Sequence, residues 1–128
     1  MNKNLIIKIL QYLIVILLAV PAYSKLTGAE ETIFIFTELG VEPYGRVMIG
    51  LIELLACALL LVNSFAAIGA LLALGLMCGA IIAHVTVLGF EVLGDGGGLV
   101  FMLVAILILS IIVLYNRRKE LPIIGRTL

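Results

Sequence analysis

Long apolar runs alternate with short clusters of polar and charged residues along the chain. Four runs stand out, at about 4–24, 46–63, 65–90 and 98–116. A helix needs roughly 20 apolar residues, at about 1.5 Å of rise each, to cross about 30 Å of hydrocarbon. Each run therefore predicts a membrane-spanning helix. Runs two and three are separated only by "VNSF", which predicts an antiparallel helical hairpin. Between runs one and two lies a connection at 26–45. In it, Thr27 with Glu30 fits a capping box, and Gly40 followed by Pro43 fits a helix stop. These signals predict a short interfacial helix within 29–39. "TIFIF" also alternates like a strand, but a lone strand at a membrane surface would leave its backbone unpaired.

Within the runs, the exceptions to apolar character are few. Pro21 is expected to kink or end the first helix. Lys8 and Gln11, near the start, are expected to reach toward the headgroups. Gly69, Gly75 and Gly79, with Ala70, Ala73 and Ala80 beside them, mark a helix built for close packing. The segment "EVLGDGGG" matches neither the P-loop nor the dinucleotide fingerprint and lacks a strand before it. It reads as a turn, with Asp95 near the cap of the fourth span. Ser110 is the one polar group inside that span, which reads as packing and lipid contact.

Composition sharpens the class. Of 128 residues, 64% are hydrophobic and only 12% charged, too few polar groups to cover a soluble domain. The expected architecture is an all-α integral membrane four-helix bundle, a single transmembrane domain over 1–128. Its short interfacial helix lies on the extracytoplasmic side, between spans one and two. A formal net charge of zero argues against nucleic acid as a partner. Lys3 and Lys8 lie at one end of the chain, and Arg117, Arg118, Lys119 and Arg126 in the tail at 117–128. Glu30, Glu31, Glu38, Glu42, Glu91 and Asp95 fall on the opposite side, against Lys25 and Arg46. Both termini are therefore expected in the cytoplasm. The first run, with "VPA" at 20–22, also has the outline of a cleavable leader, but is read as the first span.

Counting from the turn at 63–64 puts Cys57 and Cys78 about 12 Å apart in height, beyond the reach of a disulfide. Both are read as small buried residues, free of each other.

Two ionisable groups fall inside the spans: Glu53 and His84, the chain's single histidine. A charge at mid-membrane costs on the order of 2.5–3.5 kcal/mol, so such groups face the bundle interior and mark functional sites. The plainer role for either is a hydrogen bond to a backbone carbonyl that holds helices together. Arg46, Gly50, Glu53 and Cys57 form one helical stripe, and Ala73, Met77, Ala80 and His84 another. Helical side chains tilt toward the start of their own helix, so Glu53 and His84 lean toward each other from antiparallel spans. The two stripes predict a small polar pocket open to the outer side. Glu53 would form its floor and His84 its rim, Gly50, Met77 and Ala80 would lie along its lining stripes, and Tyr23, Lys25 and Arg46 would ring its mouth. Glu53 and His84 are candidates for proton exchange. No metal site is expected, and one histidine cannot provide bis-histidine haem ligation.

At these residues the sequence resembles the DoxX family of small bacterial four-helix membrane proteins. The matching features are "SKLTG" at 24–28, "LGVEP" at 39–43, Gly50 with Glu53, and "AIIAH" ending on His84. Where family members have a glycine shortly before the lysine, this chain has "PAYSK". The resemblance implies a multi-pass protein of the inner (cytoplasmic) membrane with a redox connection. It includes a subunit of a thiosulfate:quinone oxidoreductase and a component of a complex working with superoxide dismutase and a sulfurtransferase. It implies quinone as the cofactor, with none intrinsic to the chain. It also implies membrane or peripheral redox proteins as partners, beside the lipid bilayer and a second copy in a homo-oligomer. Two functions follow as expectations. In one, a redox-associated subunit binds a quinone or a small anionic co-substrate, with Lys25 and Arg46 attracting the anion. In the other, a non-catalytic, chaperone-like or stabilising subunit uses the small-residue stripes as partner surfaces.

Overall fold

A computed structural model describes residues 2–128. All regular structure among them is helical. Helix α1 covers Lys3–Thr27, α2 Glu30–Glu38, α3 Tyr44–Leu61, α4 Ala66–Ala83 and α5 Gly98–Arg117. Four of these elements are long and apolar enough to cross a membrane: α1, α3, α4 with its flanking turns, and α5.

Local chemistry explains the boundaries. The Asn2 side chain accepts the Asn4 N–H and starts α1. Gly28, at φ +76°, ends it by returning its N–H to the Ser24 carbonyl. Pro21 does not end the helix, contrary to one of its two expected effects. A proline costs a transmembrane helix one backbone hydrogen bond, which neighbouring packing tolerates. The capping box at Thr27 and Glu30 does not form either. Thr27 Oγ1 donates to the Tyr23 carbonyl behind it, and Ala29 takes the cap position of α2. The next elements match their signals: α2 falls within 29–39, and Asn63–Phe65 forms a tight turn between α3 and α4.

The four spans close into a ring in which α1 packs on α3, α3 on α4, α4 on α5 and α5 on α1. Ile14, Leu18, Leu60, Ile106 and Val113 meet in its interior. The outer faces are also apolar, with Ile16, Val20, Ile82 and Phe101 exposed, as a bilayer requires. Gly69 sets the closest approach of α3 and α4: a Cβ there would sit 2.8 Å from the Leu60 nitrogen.

At the end of the bundle that holds both termini, a polar chain joins three helices. Gln11 does not reach outward as expected; it is 1% exposed. Its Nε2 donates to the Leu60 carbonyl at 3.0 Å, and its Oε1 accepts from Arg117 Nε at 2.5 Å. Arg117 also pairs with Glu120 at 3.1 Å. Gln11 lies on the interior stripe of α1 (Ile7, Gln11, Ile14, Leu18, Ala22), so burial follows from its helical position.

Candidate functional site

The interior stripe of α1 continues from Leu18 and Ala22 to Lys25, because the helix runs on through Thr27. Lys25 thus faces α3, where its Nζ lies 2.9 Å from Glu53 Oε1. Glu53 is 2% exposed. That pairing supplies the buried carboxylate with a charge partner from the neighbouring helix. Gly50, one turn away on α3, lets the two helices meet. A Cβ there would lie 3.1 Å from the Leu26 side chain and 3.2 Å from Lys25 Cβ.

Arg46 is also engaged. Its Nε donates to both oxygens of Glu42, at 2.8 and 2.9 Å, and its Nη1 donates to the Lys25 carbonyl. It thereby ties down the last turn of α1, whose carbonyls lack helical partners. Sequence reading missed Glu42 as its partner, although the spacing of four residues was a visible signal. Both cations expected to attract an anion are therefore matched by carboxylates.

His84 comes from the end of α4. There the helix widens into one π-type turn, His84–Leu88, of a kind that recurs at functional sites. Gly89 follows at φ +79° and ψ 178°, a conformation essentially confined to glycine. Its N–H returns to the His84 carbonyl, and its own carbonyl lies 2.9 Å from His84 Nδ1. A carbonyl only accepts, so Nδ1 carries a proton and is the donor in this contact. His84 is 6% exposed.

Lys25, Glu53 and His84 line one cleft of about 1080 Å³, with Met77 and Ala80. Thr32 and Phe36 of α2 also line it, and α2 packs against the His84–Leu88 turn. Most of the remaining wall is leucine and isoleucine from α3, α4 and α5. Arg46, Gly50 and Tyr23 do not line it, which corrects the placement of Arg46 and Tyr23 at its mouth and of Gly50 on its lining stripe. Arg46 and Gly50 are spent on the contact of α1 with α3, and Tyr23 points outward from α1, 70% exposed.

The glycine-rich segment is a closed turn. Asp95 Oδ1 accepts the Val92 and Gly97 N–H groups, and Oδ2 accepts the Leu99 N–H. Those donors hold the Asp95 carboxyl below the usual carboxylate range, the Val92 bond most strongly. Amides that would cradle a phosphate are thus occupied by the chain's own carboxylate. Both cysteines are free: Cys57 is buried with its Sγ 3.6 Å from the Val15 carbonyl. Cys78 is exposed, a correction to its expected burial, because the interior face of α4 carries Ala73 and Met77 instead.

Fold and composition together define a multi-pass membrane protein built as a four-helix bundle. The model of the DoxX-like family matches residues 9–114, and the chain belongs to that family. No curated protein and no solved structure matches it.

Proposed function

We propose that the protein is a redox-associated membrane subunit that binds a quinone-class molecule in the cleft and exchanges protons with it. One observation carries this reading. A Lys25–Glu53 pair with a buried carboxylate and an oriented imidazole line a cleft whose other residues, apart from Ser24, Glu31 and Thr32, are apolar. A quinone has the matching form, a hydrogen-bonding head on a hydrocarbon tail. Lys25 can donate to a quinone oxygen, and Glu53 and His84 Nε2 can accept protons from a hydroquinone. Electrons would enter or leave through a partner protein or a second redox molecule. A small anion is the poorer fit, because Lys25 and Arg46 are each paired with a carboxylate. In this reading the chain is one transmembrane domain of the inner membrane, with the cleft end facing outward and both termini cytoplasmic.

Mass spectrometry of lipids co-purifying with the full-length protein in mild detergent tests the proposal. Wild type should carry a quinone, and Glu53→Gln, which keeps the shape but removes the charge, should lose it. Lys25→Met should lose it as well. Wild type carrying phospholipid alone, or Glu53→Gln retaining the quinone while the protein still purifies as a folded species, would overturn the reading.

A further inference from the structure

The cleft is not enclosed by the ring of helices. Its wall includes residues on the outer rims of two neighbouring spans: Leu55 on α3, and Leu71, Gly75 and Gly79 on α4. Leu55 is 52% exposed and Leu71 47%, and both glycines are exposed. Leu71, Gly75 and Gly79 recur every fourth residue, so they form one line along α4. That line lies away from the interior face of Ala70, Ala73 and Met77. Through the same space, the cleft reaches Leu103 and Ile106, interior residues of α5. A continuous path therefore runs from the lipid-facing surface, between α3 and α4, to the core of the bundle.

The glycines along α4 divide into two kinds. Gly69 is a packing glycine, where a Cβ would strike the Leu60 backbone. Gly75 and Gly79 have open space where a Cβ would be, with no atom within 4 Å. Their missing side chains hold no helix close; they leave a gap. At the inner end of that gap stands Glu53, 2% exposed, with its Oε1 2.9 Å from Lys25 Nζ.

We infer that the gap between α3 and α4 is a lateral portal, through which a neutral amphiphile enters the cleft from the bilayer core. Its polar head reaches Lys25, Glu53 and His84, and its hydrocarbon tail stays along the leucine-lined groove at Gly75 and Gly79. This rests on the head site proposed above and adds the route and the orientation. Polarity distribution selects this occupant. Lys25 is the cation of the lining and is already paired with Glu53, and most of the other lining residues are apolar, so a single uncharged head on an apolar tail matches it. Entry through the lipid also spares such a molecule passage through water, which is costly for each buried methylene.

The test uses full-length protein in phosphatidylcholine vesicles and a benzoquinone whose alkyl tail bears a diazirine, added to the vesicles before irradiation. Wild type should be labelled on the α3 and α4 peptides that line the groove. Gly75→Leu with Gly79→Leu should fill the gap without touching the core, so labelling of the cleft should be lost while the melting temperature does not fall. Leu71→Ala, which widens the same gap, should increase the labelling rate. Wild-type label spread evenly over all lipid-facing helix surfaces would sink the head site and the portal together. Cleft labelling that persists in the folded double variant and does not respond to Leu71→Ala would overturn the portal and leave the head site standing. Loss of labelling that coincides with a changed oligomeric state would also overturn the portal, because the glycine line would then be a contact between copies.

Discussion

At the scale of single residues, the site is governed by which charges are already matched. Lys25 and Arg46 look alike in the sequence, as two cations near the outer ends of spans. In the structure one neutralises a buried carboxylate, and the other binds a carboxylate and a helix end. Asp95 has a similar structural task, and its dependence on pH has a definite sign. Its carboxyl is held below the ordinary range in the fold, so its contribution is complete above the unfolded value. It is lost as pH falls through the lowered folded value. Hydrogen exchange at the Gly97 and Leu99 amides should therefore stay slow at neutral pH and speed up in acid, below the normal carboxylate range. In Asp95→Ala these amides should exchange fast at neutral pH as well. Equal protection in wild type and variant would show that the turn holds without its carboxylate.

At the scale of elements, helices were legible because each rests on local terms: apolar length, a capping asparagine, glycines at helix ends. Both failures at this scale came from competition. The α1 helix outlasted Pro21 because its packed face continues to Lys25, and the threonine at 27 bonded backward rather than forward. Glycines were legible as small but not as different from one another. Gly69 and Gly75 share a helix, yet only Gly69 meets a neighbour. Gly69→Ala should destabilise the bundle by about 1–3 kcal/mol, the range for overpacking a fitted contact. Gly75→Ala should be neutral or stabilising by up to about 1 kcal/mol, from helix propensity. Unfolding of both variants in the same detergent measures the difference. Equal destabilisation would mean that α3 and α4 stay close along their full length.

At the scale of the whole molecule, the ring brings both termini to one end, where Gln11 and Arg117 join the first and last spans across 106 positions of sequence. The excess of Lys and Arg at this end predicts that it is cytoplasmic. In a variant free of Cys57 and Cys78, a single cysteine placed in the 121–128 tail should react with a membrane-impermeant maleimide only after the cells are opened. Reaction in intact cells would reverse the topology. The number of spans, the hairpin, the amphipathic helix and the interior stripes of Glu53 and His84 were determined by the sequence alone. Each depends on residues within a few turns of one another, through transfer free energy and helical periodicity. Tertiary structure alone decided that Glu53 meets Lys25 rather than His84, that Arg46 braces a helix end, and that residues of all five helices line one cleft. Those outcomes depend on the rotation and spacing of whole helices, which are set by the sum of packing over the ring and not by any one segment of it.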